Sequence, residues 1–192
     1  MKLSIIIPAY NEEDNILPLY KEILKNIPKK YSYEIIFIDD GSTDSTLKNI
    51  KAIKDKNIKS ISFRKNFGKA EGLNTGFKEA TGDIIITMDA DLQDNPKEIP
   101  NFIKKINEGY DLVSGWKYNR LDPLGKRVPS KLFNKLTRIL TRVNLHDFNC
   151  GFKAYKKEVA KSLKLYGEMH RYIPAMASWQ GFKVGEIKVD HR

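Results

Sequence analysis

A single cysteine, Cys150, in 192 residues excludes an intramolecular disulfide framework. With no Cys/His cluster, a zinc site is not expected either, and Cys150 reads as a small buried residue. No apolar run approaches the roughly 18 to 20 residues that cross a bilayer. Met1-Lys2 leads straight into the short run Leu3 to Ile7, so no signal peptide is read. A soluble or peripheral, cytosolic domain is expected. The glycine-rich phosphate cradles are missing as well. There is no G-x-G-x-x-G after the first apolar run and no G-x-x-x-x-G-K-[ST], which removes the dinucleotide and P-loop readings. Acidic residues are outnumbered, 24 against 34 basic ones, and the net charge of +10 asks for an anionic partner such as a nucleotide, a nucleic acid or an acidic membrane.

What is present is enough hydrophobic chain, 41% with only eight prolines, for one globular unit over residues 1–192. Because the chain stops at His191-Arg192, directly after its last strand-like run, a domain truncated at its C-terminus is expected. Strand-type runs at Leu3–Ile7, Glu34–Ile38, Ile58–Phe63, Ile84–Met88 and Asp111–Ser114 alternate with helical patterns. The helical patterns lie near Glu12–Ile27, Thr43–Lys54, Lys69–Ala80 and Pro96–Asn107. Such alternation predicts an α/β fold, a mostly parallel sheet covered by helices on both faces. Asp44 offers cap-type chemistry, and Pro96 suits a first helical turn.

After Trp116 the pattern changes. Residues 118–129 read as a polar loop, and Ser130–Val143 as an amphipathic helix. Leu132, Phe133, Leu136, Ile139, Leu140 and Val143 share one face, with Lys131, Lys135, Arg138 and Arg142 on a stripe about 120–130° away. Eight basic residues and one acid, Asp122, lie between Lys117 and Leu145. Such a helix suits an anionic membrane surface. It equally suits packing on the sheet with a basic outer face, and the two are compatible. A strand at Phe148–Tyr155, helices at Lys157–Leu163 and Arg171–Gln180, and a strand at Lys183–Val189 complete the reading. Trp116 and Trp179 read as core or lipid-proximal residues.

Four polar clusters follow four successive strands. They are Pro8-Ala9-Tyr10-Asn11-Glu12-Glu13, Asp39-Asp40-Gly41-Ser42-Thr43-Asp44, Arg64-Lys65-Asn66-Phe67-Gly68-Lys69, and the run Thr87-Met88-Asp89-Ala90-Asp91-Leu92-Gln93-Asp94. Taken alone, a D-x-D triplet fits a helix cap at least as well as a metal site. Four clusters on one edge are another matter, because ligands of open α/β sheets bind at the carboxyl ends of strands. Asp39 or Asp40 can accept from base or ribose donors, Tyr10 can pack on a ring, and Lys69 and helix N-termini favour phosphate. Asp89, Asp91, Gln93 and Asp94 offer the oxygen ligands that Mg2+ or Mn2+ prefers. Nucleic acid fits the charge but not this acidic edge.

The stretches PAYNEE, IDDGSTDST, NFGKAEGLNTGFKEATGD and DADLQDNP together resemble the successive signatures of family 2 glycosyltransferases. The likeness is to the branch with dolichyl-phosphate mannosyltransferase and the polyprenyl-phosphate glycosyltransferases. It runs over essentially the whole chain. The resemblance implies a GT-A fold, a nucleotide-sugar donor, a divalent cation (Mg2+ or Mn2+) and inversion at the anomeric carbon. It implies nucleotide-sugar binding by Pro8, Ala9, Tyr10, Asn11, Glu12, Asp39, Asp40, Lys69, Asp89 and Ala90. Asp89 would lie near the ribose or diphosphate, and the metal would sit on Asp91 and Gln93 with Asp89 beside them.

The acceptor can be approached mechanistically. Relatives that glycosylate sugar hydroxyls carry Glu-Asp before a helix, the aspartate acting as general base. Here the matching segment is Gly167-Glu168-Met169-His170-Arg171, with methionine in place of the base. A lipid phosphate, its second pKa about 6, is already anionic and needs cations instead. Lys117, Arg120, Lys126, Arg127, Ser130 and Arg171 are the candidates to hold it, with Asp91, Lys117, Arg127 and Ser130 at the reacting centre. Lysine stands at 117 and 153 where relatives commonly carry arginine, a point charge in place of a fork. His170 and Arg171 bind diphosphate or acceptor, or are a helix-start pair without such a role.

The expected activity is hexose transfer from a UDP- or GDP-sugar to a polyprenyl phosphate at the cytosolic membrane face, with association into a homo-oligomer left open. The rivals are a family 2 enzyme with a saccharide acceptor, using Asp147 or Glu168 as base, and a nucleotide-sugar binding module without turnover.

Overall fold

The computed structural model describes residues 1–118, 134, 136–190 and 192. Its elements run β1 (Lys2–Ala9), α1 (Ile16–Asn26), β2 (Ser32–Asp39), α2 (Thr46–Ala52), β3 (Ile58–Ser62), α3 (Lys69–Glu79) and β4 (Ile84–Thr87). A 3-10 turn (Pro96–Glu98) then leads into α4 (Ile99–Asn107), β5 (Leu112–Lys117), β6 (Lys153–Lys156) and α5 (Lys157–Ser162). A second 3-10 turn (Gly167–Tyr172), α6 (Ile173–Trp179) and β7 (Val184–Val189) follow. One sheet of seven strands is ordered β3-β2-β1-β4-β6-β5-β7. Only β6 runs against its neighbours β4 and β5.

The period-2 alternation of the strands sorts their side chains onto two faces. Leu3, Ile5, Ile7, Ile35, Phe37, Ile84 and Ile86 point to the side covered by α1 and α4, where Leu19, Ile23, Phe102 and Ile106 meet them. Ile6, Ile36, Ile38 and Ile85 point to the other side, against Leu73 and Phe77 of α3 and Val159 of α5. Each such buried side chain contributes roughly 1.5–3 kcal/mol. Gly76 lets α3 lie close on β1, since a Cβ there would come within 2.3 Å of Ile6 Cγ2. That close approach sets the N-terminus of α3 beside the ends of β1 and β4.

Three expectations need adjustment. The helix read from Glu12 begins at Ile16, because Asn11 turns the chain with φ +56° and Glu12 N donates to Thr46 Oγ1 at 2.7 Å. The strand read over Phe148–Tyr155 is confined to Lys153–Lys156. Phe148, Cys150 and Phe152 are buried in strand-like alternation, yet side chains take the carbonyls of 148, 150 and 151. Lys153 Nζ binds those of Phe148 and Cys150, and Thr87 Oγ1 binds that of Gly151.

The third adjustment concerns the amphipathic helix, of which 134 and 136–141 are described as helical. Among its described residues Asn134 and Thr137 turn inward, and Asn134 Oδ1 accepts from Phe148 N at 3.1 Å. Leu136, Ile139 and Leu140 are 49%, 62% and 81% exposed. Among the described residues of the apolar stripe, these three face outward, while Val143, just past the helix, is buried.

At the opposite end of the sheet, buried Glu34 accepts from Ser4 Oγ (2.6 Å), Thr81 N and Oγ1 (both 2.8 Å) and Lys2 Nζ (3.0 Å). Burial works against its charge, but these hydrogen bonds prevail and lower its pKa to about 2. A carboxyl depressed on folding stabilises the native state above its unfolded pKa, and that contribution is lost as the pH falls from 4.5 through about 2. The shift corresponds to about 3 kcal/mol. Glu34→Gln should therefore lose a large part of this stability at pH 7 and flatten the acid limb of the urea midpoint against pH between those values.

Candidate active site

The parallel pairing of β1 with β2 and β4, and of β2 with β3, brings four polar loops to one edge. After β1, Asn11 takes the left-handed conformation that asparagine tolerates. Its Oδ1 accepts from Thr43 N (2.9 Å) and its N–H donates to Ser42 Oγ (3.0 Å), which clips the first loop to the second. Tyr10 is exposed, with Pro8 half-buried and Ala9 buried behind it.

Asp39 and Asp40 are both buried and already engaged. Asp39 accepts from Ser42 N (3.2 Å) and Ser62 Oγ (2.7 Å). Asp40 takes Phe67 N on one oxygen (2.7 Å) and Gly68 N on the other (2.9 Å). These carboxylates organise the loops that follow β2 and β3, so any ligand contact from them must use their remaining lone pairs.

The loop after β4 carries the strongest charge. Asp89 pairs with Lys69, the first residue of α3. Burial opposes ionisation of Asp89, but Lys69, with Lys117 and Lys153 behind it, holds its carboxyl below the ordinary value. Ala90 is buried beneath the loop. Asp91 is exposed and, among the described residues, accepts only Gln93 N, at 3.1 Å on Oδ1. Between them Leu92 sits at φ +63°, a conformation that costs a branched side chain energy and that clusters at functional sites.

Asp94 is turned inward. Its Oδ2 accepts from Asp89 N at 3.2 Å, and its Oδ1 lies 3.5 Å from Lys117 Nζ with no hydrogen bond. Burial and the charge of Asp89 push its pKa up to about 6, with Lys117 opposing. Glu12 is likewise raised, by burial and then by Asp91, Asp89 and Asp44, though Asn15 pulls the other way. The edge is thus strongly acidic at its surface and backed by lysines.

Lys117, at the end of β5, points under this edge toward Asp94. Arg171 is half-exposed and pairs with Glu168 at 2.8 Å. His170 lies near Lys69, and burial together with that ammonium lowers its pKa. Arg120, Lys126, Arg127 and Ser130, with Lys131, Leu132, Phe133 and Lys135, lie outside the described residues. Trp179 is 89% exposed and so not a core residue, whereas Trp116 is half-buried and stacks on His146 at 4.0 Å between ring centres. Cys150 is buried, which raises its thiol pKa to about 12 and leaves it inert.

Oxygen donors with an exposed, singly engaged carboxylate at Asp91 suit a hard divalent cation. Among the described residues no three His, Cys, Asp or Glu side chains converge on one point. That agrees with the habit of Mg2+, which takes one or two carboxylates and completes its shell with substrate phosphates and water. Asp91, with Gln93 and Asp89 flanking it, would hold such an ion. The inward turn of Lys117 and the burial of Lys153 were not foreseeable from residue spacing.

An open, mostly parallel sheet with a D-x-D loop at its carboxyl edge defines a GT-A fold. A glucosyl-3-phosphoglycerate synthase from Mycobacterium tuberculosis, solved with Mn2+, UDP-glucose and phosphoglyceric acid, shares it with a TM-score of 0.79 at 21% identity, over 100% of this chain and 71% of that one. Residues 4–164 match the model of glycosyl transferase family 2, and the chain belongs to that family. A dodecaprenyl-phosphate galacturonate synthase of Rhizobium johnstonii is 36% identical over 100% of this chain and 59% of its own length. An undecaprenyl-phosphate 4-deoxy-4-formamido-L-arabinose transferase of Shewanella sediminis is 38% identical over 98% of this chain and 58% of its own. The chain therefore spans less than two thirds of the length of these relatives.

Removing the Asp40 carboxylate would strand two backbone N–H groups, at a cost of about 1–3 kcal/mol. Asp40→Ala is expected to lower stability by that amount and to speed hydrogen exchange selectively at Phe67 and Gly68.

Proposed function

We propose that this chain is the catalytic domain of a longer protein that transfers a hexose, with inversion, from a UDP- or GDP-sugar to a polyprenyl phosphate. The observation that carries the reading is the loop after β4, where exposed Asp91 stands beside the Lys69–Asp89 pair at the carboxyl edge of the sheet. A divalent cation bound there, Mg2+ or Mn2+, would neutralise the departing nucleoside diphosphate. Tyr10 offers a face for the base, Asn11 and Glu12 flank it, and Lys69 and the start of α3 lie where a diphosphate would come.

The acceptor half rests on what surrounds the edge. Met169 packs half-buried on the core and offers no base. Asp147 is buried, and Glu168 is tied to Arg171. A sugar hydroxyl would need a proton acceptor, whereas a phosphate monoester needs none. Its oxygen would bond to the anomeric carbon as the bond to the nucleoside diphosphate breaks. Lys117 contributes positive charge from beneath, and Arg120, Lys126, Arg127, Ser130 and Arg171 are proposed to hold the acceptor phosphate. The polyprenyl-phosphate substrates in the names of both relatives support this over a saccharide acceptor.

If Asp91 carries the cation, Asp91→Ala should reduce transfer by about 100-fold or more with unfolding unchanged. The assay follows labelled sugar into the organic phase in the presence of polyprenyl phosphate. Undiminished transfer by that variant would overturn the metal assignment, and label left wholly in water would favour the saccharide acceptor.

No helix among the described residues is long and apolar enough to cross a membrane. The outward Leu136, Ile139 and Leu140, bordered by Arg138 and Arg142, support peripheral attachment to an anionic bilayer. Replacing the three apolar residues by serine should weaken binding to phosphatidylglycerol vesicles about tenfold or more, measured by co-sedimentation.

A further inference from the structure

Beneath the acidic edge lies a charge for which the proposed chemistry has no direct use. Lys153, on β6, is 2% exposed. Its Nζ donates to the carbonyl oxygens of Phe148, at 3.3 Å, and of Cys150. Among the described residues no carboxylate forms an ion pair with it. Burial lowers its pKa below the ordinary lysine value, although Asp147 and Asp89 pull it back. An ammonium in such a place carries a heavy desolvation penalty, and a well-packed apolar side chain is often no worse for stability. A charge kept here calls for another explanation.

The turn that Lys153 fastens supplies one. Gly151 packs directly on the carboxylate of Asp89: a Cβ at 151 would fall 2.5 Å from Asp89 Oδ2 and 2.8 Å from its Cγ. The Gly151 carbonyl is held from the other side by Thr87 Oγ1, at 2.8 Å. Lys69 approaches the same carboxylate from α3. Asp89 is therefore confined between the Lys69 ammonium and the backbone of the 148–152 turn.

We propose that Lys153 is a positioning residue, which fastens the Phe148 and Cys150 carbonyls so that Gly151 holds the Asp89 carboxylate in place for a nucleoside diphosphate and its cation. The inference rests on the reading of this edge as a nucleotide-sugar site. Asp89 is the group that meets the ligand, and Lys153 acts only through it.

The test compares wild type, Lys153→Met, Lys153→Arg and Gly151→Ala. UDP and GDP are titrated in Mn2+ by calorimetry, and thermal unfolding is followed for each protein. Methionine fills the lysine volume without its donors. The expected result is affinity roughly 10- to 100-fold weaker in Lys153→Met, as for residues that support a metal-site ligand, with Tm close to wild type. Gly151→Ala should lose affinity similarly, and Lys153→Arg, which restores donors, should recover part of it. Wild-type affinity in Lys153→Met, where wild type binds, overturns the inference and leaves the functional reading standing. Affinity that falls only in step with Tm, without recovery in Lys153→Arg, assigns the lysine to stability and overturns it as well. If Lys153→Met does not fold, wild-type affinity in a folded Gly151→Ala overturns it in the same way. Failure of the wild type to bind either nucleotide removes the reading and the inference together.

Discussion

Everything at the candidate site follows from the parallel register of β1 with its two neighbours. Ala9 stands opposite Asp39, so β1 and β2 end level, while β4 ends opposite Ile6, three residues short of Ala9, and its loop leaves from the same carboxyl edge. A strand pair slipped by one residue would turn every side chain to the other face. That would send Ile5 and Ile7 out of one core and Ile6 out of the other. The hydrophobic alternation that stabilises the sheet is thus the same constraint that aligns Asn11, Asp40 and Asp89. Packing and function are set by one register.

Within that frame the acidic residues divide by task. Asp39 and Asp40 are buried and spend both oxygens on the chain itself, and buried Asp94 gives one oxygen to Asp89 N and turns the other toward Lys117, closing turns and satisfying N–H groups that would otherwise be stranded. Among the described residues Asp91 is exposed with a single internal hydrogen bond, and Asp89 is intermediate. An aspartate that is already accepting two N–H bonds is a poor adaptable ligand, whereas one with a bare oxygen can take up a cation without breaking anything. The division is one of hydrogen-bond accounting, and it separates scaffold from site more sharply than residue type does.

The sheet, the order of the first nine elements and the convergence of four loops were legible in the sequence because each rests on local periodicity. Runs such as Leu3–Ile7 and Ile84–Met88 have few alternatives to a buried strand. Other features were hidden for identifiable reasons. Burial of alternate residues at Phe148, Cys150 and Phe152 looks like a strand, and only the side-chain donors of Thr87 and Lys153 make a buried turn viable. Helical spacing said that Leu136, Ile139 and Leu140 share a face, but not which way it points. Asn134 decided that by reaching Phe148 N. Asp39 and Asp40 were legible as strand-end residues, whereas the approach of Lys117 to Asp94 was not. Whether a side chain points at ligand or at backbone is a tertiary fact.

The charges of the edge also explain why the chain is so basic elsewhere. Asp89, Asp91 and Asp94 are matched by Lys69, Lys117 and Lys153, which between them pull the Asp89 carboxyl down and oppose the rise of Asp94. The three ammonium groups offset the three carboxylates of the β4 loop, although the surface of the edge stays acidic. A nucleoside diphosphate with a divalent cation carries little net charge, so long-range attraction does little to bring it to the edge. Local hydrogen bonds and coordination must do that work. An acceptor phosphate arriving without a cation is different, because it carries a charge of about −1.5 to −2 with nothing to offset it. Uncompensated positive charge is then required beside the edge, not within it. The eight basic residues between Lys117 and Leu145 lie in the segment that leaves β5 and returns through Asp147 to β6. That segment departs from the very strand whose last residue reaches Asp94. On the proposed reading these eight basic residues, with Asp122 the one acid among them, would supply that charge, and the outward Leu136, Ile139 and Leu140 of the same segment would give the anion's hydrocarbon chain, or the membrane holding it, a surface to meet.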